Sequence, residues 1–199
     1  MLKIAVGHSE DVDTLVAAQV VIEQCKIQLG NLEPQAGIVL ASIEYDHPKM
    51  LAEIARHFPQ LELIGCTTGG EISSISGNSD DSIGLVLMYS DTIEIKSGIG
   101  RQVSDDPVTA VRAAIDQAKS ARSATASLCL MFPDTYHFSL QEIIDALNLK
   151  LGRHCPVFGG GAGSLETEIA PLQFFKDQVL QNALPLLYFI ANGWKRPSS

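Results

Sequence analysis

The fold is decided by residues 61–71, which read Leu61-Glu62-Leu63-Ile64-Gly65-Cys66-Thr67-Thr68-Gly69-Gly70-Glu71. The apolar start of this stretch predicts a buried strand, and the glycines after it predict a tight loop. A nearly apolar run, Gly37–Ser42, precedes it along the chain. A helix pattern capped by Asp46 separates the two runs. Because a crossover helix returns the chain to the same end of a sheet, this order favours a parallel pair of strands.

The same order recurs in the second half of the chain. An apolar run at residues 128–132 and a helix pattern precede Pro156-Val157-Phe158-Gly159-Gly160-Gly161-Ala162-Gly163-Ser164. The two stretches align at three positions, namely Ile64 with Phe158, Gly65 with Gly159, and Gly69 with Gly163. We interpret the likeness as a pseudo-duplication, with halves at about 1–100 and 101–194. The alternative is a chance similarity between two β-α-β units.

Other segments predict antiparallel strands. The runs 83–89 and 92–99 are joined at Ser90-Asp91, a short connection that resembles a hairpin. The runs 172–175 and 186–191 lie on either side of the turn Lys176-Asp177. We therefore expect an α/β fold with mixed parallel and antiparallel strands and flanking helices. It forms a single domain over residues 1–194, followed by a tail at 195–199.

Composition restricts the partners. The chain of 199 residues has 23 acidic and 14 basic residues and a formal net charge of −9. Nucleic acids and anionic membrane surfaces require clustered Lys and Arg, so we expect neither as a partner. The sequence shows no secretory signal and no apolar run of about 20 residues, so membrane insertion is not expected. The four cysteines form no C-x-x-C pair and are expected to be reduced thiols in a cytoplasmic protein.

Parallel strands bring their carboxyl ends to one edge of a sheet, where ligands usually bind. In the first half this edge should gather His8, Ser9, Ser42 and residues 66–68. In the second half it should gather Pro133, Asp134 and the glycine run. The glycines either allow tight turns or present a nest of backbone N–H groups to an anion such as a carboxylate.

Catalysis and metal binding have weaker support. Cys66 lies at a strand end, but a nucleophilic cysteine needs a histidine partner, and the sequence does not choose among the five histidines. Buried cysteines in apolar strands are usually small packing residues. No histidines or cysteines have metal-ligand spacing, and the glycine run departs from dinucleotide and Walker patterns. We expect no cofactor and no catalytic residue.

Residues 64–72 closely resemble the signature of the FIST domain, N-terminal half, a family named for F-box and intracellular signal transduction proteins. Residues 158–163 resemble its second glycine motif, and Ser9 and the strand at 81–89 also fit. The resemblance implies a sensory domain that binds small ligands, amino acids among them. It also implies a FIST C-terminal half or another signalling module as a partner.

The leading hypothesis is a ligand-binding sensory domain, in which backbone N–H groups hold a ligand carboxylate and Glu71 pairs with its ammonium group. Glu71 as a solvated loop acid is the alternative for that residue. A protein-docking module is the second hypothesis, because FIST halves occur in ubiquitin-ligase substrate receptors, and a cysteine-dependent enzyme is the third. The predicted ligand-binding residues are Gly65, Cys66, Thr67, Thr68, Gly69, Gly70, Glu71, Gly160, Gly161, Ala162 and Gly163.

Overall fold

The computed structural model describes residues 1–119, 127–136, 139–152, 155–164 and 169–191. The predicted tail, the domain boundary at 194 and the predicted helix end near Arg122 lie outside these residues. Within them the elements are, in order, β1 (Leu2–Ser9), α1 (Thr14–Leu29), β2 (Ala36–Ala41), α2 (His47–His57), β3 (Glu62–Thr67), β4 (Glu71–Ser73), β5 (Gly77–Ser79), β6 (Ile83–Ser90), β7 (Ile93–Arg101), α3 (Pro107–Ala118), β8 (Leu128–Met131), α4 (Leu140–Leu151), β9 (Val157–Gly159), β10 (Gln173–Phe175), β11 (Gln178–Leu180) and β12 (Ala183–Ala191).

The described strands form two large sheets and one hairpin. The first sheet has the order β1-β6-β2-β3-β10-β11, and the second has the order β7-β12-β8-β9. The pairs β2–β3 and β8–β9 are parallel, and the other neighbours in both sheets are antiparallel. The hairpin consists of β4 and β5 alone. The predicted mixed α/β fold with flanking helices is therefore confirmed.

Three apolar clusters hold the layers together. The first lies between the first sheet and helices α1 and α2, and the second lies between the second sheet and helices α3 and α4. The third lies between the sheets, where Ile64 and Phe175 of the first sheet meet Ile95 and Leu187 of the second. Both faces of the central strands are therefore covered, which explains why these strands are apolar on both sides.

The predicted hairpin at Ser90-Asp91 is wrong. Strand β6 lies between β1 and β2 in the first sheet, whereas β7 pairs with β12 in the second. The Ser90 Oγ atom accepts hydrogen bonds from the N–H groups of Thr92 and Ile93, at 3.2 and 2.9 Å. This turn carries the chain from one sheet to the other, since strand β6 already has a partner on each side.

Two short hairpins differ from what the sequence predicts. The turn at Lys176-Asp177 does join antiparallel strands, but the second strand is β11, which the sequence reading missed, rather than residues 186–191. The polar composition of residues 73–81 predicts turns, but this segment contains most of the β4–β5 hairpin. Strands of three residues give too short a pattern to recognise from alternation.

The two sheets share one arrangement of strands. The order β1-β6-β2-β3 matches β7-β12-β8-β9 in sequence order and in strand direction. A methyl group added at Gly65 would lie 1.8 Å from the carbonyl oxygen of Val39 on the neighbouring strand. One added at Gly159 would lie 1.9 Å from the carbonyl oxygen of Met131. Each glycine thus allows the same close approach.

Side-chain contacts on the edge strands also correspond. The Gln24 side chain accepts a hydrogen bond from the His8 N–H on β1, at 2.7 Å. The Gln117 side chain accepts one from the Ile99 N–H on β7, at 3.2 Å. These matches support the pseudo-duplication, which stays a prediction about the origin of the two halves.

We expect Gly65→Ala and Gly159→Ala to destabilise the protein strongly, because the added methyl group would overlap a backbone carbonyl in each case. Overpacking of this kind costs about 1–3 kcal/mol or more. Gly160→Ala is the matched control, since nothing lies within 4 Å of its added methyl group. Urea unfolding measures the three variants. Equal stability of Gly65→Ala and the parent would contradict the close approach.

Candidate functional site

The two glycine loops meet at one edge of the molecule. The Gly163 N–H donates a hydrogen bond of 2.8 Å to the carbonyl oxygen of Thr67. A methyl group added at Gly163 would lie 3.6 Å from the backbone nitrogen of Gly69. Strands β1, β2 and β3 end at this edge and β6 begins there, since Ile83 pairs with both Ser9 and Ala41.

Several backbone N–H groups of the loops are already used by the fold. Thr67 and Thr68 donate to the carbonyl oxygens of Leu172 and Ala41, at 2.9 and 3.1 Å. Ala162 donates to Pro133, at 2.9 Å, and Gly163 to Thr67 as described. The predicted N–H nest is therefore smaller than the sequence suggested. Among the described residues, the N–H groups of Gly69, Gly70 and Gly161 have no acceptor.

Glu71 is buried, with 4% of its surface exposed. Its carboxylate accepts hydrogen bonds from the hydroxyl groups of Thr68 and Ser82. Burial raises the pKa of Glu71, although the two hydroxyl groups and the nearby His8 act in the opposite direction. No lysine or arginine in the described part of the chain forms an ion pair with it. Glu71 is therefore a buried acid held by neutral donors.

His8 lies beside this acid on the face of the first sheet opposite the helices. A methyl group added at Gly84, which pairs with His8, would lie 3.9 Å from the Cγ atom of Glu71. The His8 side chain is buried, and among the described residues neither ring nitrogen has a hydrogen-bond partner. Its Nε2 atom lies 3.8 Å from Glu10 Oε1. The sequence placed His8 at this edge but not among the ligand-binding residues.

Cys66 shares this face and is also buried. Burial, and then the negative charge of Glu71, raise the pKa of its thiol to about 12. His8 lies three strands away in the sheet order, or about 14 Å at the usual strand spacing. Of the other described histidines, His47 bonds to the Ser42 carbonyl and His57 contacts Lys26. His137 and His154 lie outside the described residues.

The polar cluster of His8, Thr68, Glu71 and Ser82 has no counterpart among the described residues of the second half. Strand pairing places Ile99 where the first half has His8, and Ala183 where it has Ser82. Asp134 corresponds to Ser42, but its buried carboxylate accepts the N–H groups of Tyr136 and Asn182, at 2.8 and 3.0 Å. The polar cluster therefore belongs to the first half.

A cavity of about 270 Å³ lies beside the second glycine loop. Its wall includes Thr135, Tyr136, Gly163, Ile169 and Pro171. Because Gly163 also donates to the Thr67 carbonyl of the first loop, the cavity borders the junction of the two loops.

The family model of the FIST N domain matches residues 35–196. The chain belongs to the FIST family. FIST domains are sensory domains of signal transduction, and the match covers both glycine loops. No curated protein matches the sequence. In the described part of the chain, no helix is long and apolar enough to cross a membrane.

Two solved structures of cyanuric acid hydrolase resemble the FIST chain at a distance. The enzyme from A. caulinodans aligns with 12% identity and a TM-score of 0.47, covering 97% of this chain and 71% of the enzyme. The structure titled "Cyanuric acid hydrolase: evolutionary innovation by structural concatenation" aligns with 9% identity and a TM-score of 0.42, covering 96% and 68%. Similarity at this level does not bear on the activity of the FIST chain.

We expect the stability contribution of Glu71 to depend on pH. Because its pKa is raised above the ordinary value of 4.5, the folded state favours the protonated acid. The parent therefore loses stability as the pH rises through the raised pKa, whereas Glu71→Gln cannot ionise and does not. Urea unfolding at about pH 4 and about pH 7 should show the variant gaining on the parent at the higher pH. The exposed Glu44→Gln is the control, and an equal difference at both pH values would contradict the buried acid.

We expect Cys66 to react slowly with iodoacetamide at neutral pH, because its thiol is buried and its pKa is about 12. Mass spectrometry of the native and the urea-unfolded protein after timed labelling measures the protection. We also expect Cys66→Ser to leave stability nearly unchanged. Fast labelling of the native protein at Cys66 would overturn this expectation.

Proposed function

We propose that this FIST domain is a non-catalytic sensor that binds a small ligand carrying a protonated amine, with a free amino acid as the simplest case. The observation that carries the proposal is Glu71, a buried carboxylate whose donors are the neutral hydroxyl groups of Thr68 and Ser82. A buried carboxylate is stabilised most strongly by a cation, because burial removes the water that would otherwise solvate its charge. A ligand ammonium group beside Glu71 would supply one.

The opposite end of an amino acid would meet the glycine loops. The N–H groups of Gly69 and Gly70 have no acceptor among the described residues, and Gly163 lies against the same loop. Neither loop contains a basic residue, so a ligand carboxylate would be held by backbone dipoles rather than by arginine. Charge-assisted hydrogen bonds of this kind contribute about 1.5–3 kcal/mol each.

His8 would supply a further polar contact. A neutral imidazole has one donor and one acceptor nitrogen, so it can bond either to an N–H group or to an oxygen of a ligand. A buried polar group without a partner costs about 1–3 kcal/mol. Binding that gives a His8 nitrogen a partner would recover that cost and strengthen the complex.

The rival hypothesis of a cysteine-dependent enzyme has little support at this site. The Cys66 thiol, with a pKa of about 12, is not an activated nucleophile, and none of the described histidines forms a hydrogen bond with it. Partners beyond the ligand, a FIST C-terminal half or another signalling module, are part of the proposal on the strength of the family. The four free, buried cysteines are consistent with a cytoplasmic setting.

A thermal-shift screen against free amino acids and related metabolites tests for the ligand, because a ligand that binds only the native state raises its stability. Calorimetry then compares the parent with Glu71→Gln. We expect Glu71→Gln to weaken binding by about ten- to a hundredfold, since it removes one charge-assisted pair.

The exposed Glu44→Gln, near the same sheet edge, is the matched control and should bind as the parent does. An unchanged affinity in Glu71→Gln would mean that Glu71 only anchors the loop through Thr68 and Ser82. Binding that is lost equally in both variants would contradict a specific role for the buried acid.

A further inference from the structure

The β4–β5 and β10–β11 hairpins occupy the same place in their halves of the chain. Each follows a glycine loop and precedes the central strand of a sheet, β6 or β12. Each contains three antiparallel residue pairs, with Ile72 opposite Asn78 in the first and Phe174 opposite Val179 in the second. Ile72 and Phe174 are therefore equivalent positions.

The β10–β11 hairpin belongs to the second half by sequence but pairs with the sheet of the first half. Strand β10 pairs with β3 of the first sheet, with Phe174 opposite Gly65 and Phe175 opposite Ile64. Phe174 and Ile64 are both fully buried in this arrangement. The hairpin of the second half thus closes the edge of the first sheet.

The equivalent surfaces have no such partner in the part of the chain that the structure describes. Strand β4 pairs only with β5, and Ile72 is 84% exposed. Strand β9 corresponds to β3, but it is the edge of the second sheet, and Phe158, which corresponds to Ile64, is 59% exposed. Within the described residues, the chain therefore carries both an unpaired donor hairpin and an unpaired acceptor edge.

Glutamine side chains cover part of the outer edges of β1 and β7. The outer backbone groups of β1 are bonded by the side chains of Gln24 and Gln28, and Gln117 does the same for Ile99 on β7. No side chain among the described residues covers the outer edge of β9 in this way. An uncovered strand edge is a template for pairing with another strand.

We propose that two copies of this chain pair through these surfaces, with β4 of one copy added to β9 of the other. The contact between β10 and β3 sets the register, so Ile72 would lie opposite Gly159 and Ser73 opposite Phe158 of the partner copy. Each copy offers one donor and one acceptor. Two reciprocal contacts, each from β4 of one copy to β9 of the other, would satisfy both surfaces in a closed two-fold dimer.

The pairing would also complete the second glycine loop. Gln173 lies opposite Cys66 within one chain, so the same register places Glu71 of one copy opposite Gly160 of the other. The N–H of Gly161, which has no acceptor among the described residues, would then face the added strand, as Thr67 N–H faces Leu172 within the chain. The Glu71 carboxylate would stay with Thr68 and Ser82 of its own copy, so the added strand approaches the loop through its backbone.

Sedimentation of the full chain tests the pairing. We expect a species of twice the 21.4 kDa chain mass. Ile72→Lys should raise the dimer dissociation constant at least about tenfold, because it places a charge against the apolar edge of β9. The control is Ile27→Lys on helix α1, where the parent side chain is also exposed and lies away from both surfaces. A chain that stays monomeric, or a dimer that Ile72→Lys leaves intact, overturns the proposal.

Cross-linking tests the register independently of affinity. A chain with Ser73→Cys mixed with a chain with Phe158→Cys should form a mixed disulfide under mild oxidation. The described native cysteines are all buried and do not compete. The pair Ile27→Cys and Phe158→Cys is the control. Equal cross-linking of both pairs would contradict the proposed register.

Discussion

The pairing of β10 with β3 is the contact on which the rest of the structure depends. It joins Phe174 and Phe175 of the second half to Gly65 and Ile64 of the first. The two sheets consequently lie face to face, and Ile64 becomes part of the cluster between them. Because β3 leads directly into the first glycine loop, the same pairing brings residues of the second loop against it. The site is therefore a product of the contact between the halves rather than of either half alone.

The polar cluster at this edge lowers the stability of the folded state. Glu71 is a buried acid without a cation bonded to it among the described residues, and His8 has two buried ring nitrogens without a hydrogen-bond partner there. Native proteins rarely keep such groups unless they serve a function. In the second half, Ile99 and Ala183 occupy the places of His8 and Ser82, which shows that the strand arrangement itself does not require polar residues. That contrast supports a binding role for the first half.

Much of the fold could be predicted from local sequence. Asp13, Asp46 and Asp106 cap helices, and the apolar runs at β2, β3 and β8 follow from burial on both sheet faces. The turn at Ser90 was predicted wrongly, because the sequence does not reveal that β6 already has two neighbours. The short strands β4, β5 and β11 have too few residues to show a pattern. Strand pairing between residues distant in the sequence determines the turn at Ser90, and it is not visible in the local pattern of any of these segments.

The candidate site was predicted only in part. The glycine loops and Glu71 could be found because glycine and acidic residues follow strand ends. The sequence could not show that the N–H groups of Thr67 and Thr68 donate to the carbonyl oxygens of Leu172 and Ala41, since those acceptors lie in other parts of the chain. It also could not show that the His8 ring lacks a partner, because that depends on every residue packed around it.

NMR of the His8 ring nitrogens and the Glu71 carboxyl carbon, during titration with an amino acid found in the thermal-shift screen, is the most direct test of ligand binding at this cluster. We expect both signals to shift together and to saturate at the concentration that calorimetry gives for binding. The signals of His57, at the C-terminal end of α2, should stay in place. Saturable binding that leaves the His8 and Glu71 signals unchanged would contradict this binding site, because the ligand would then occupy another part of the molecule.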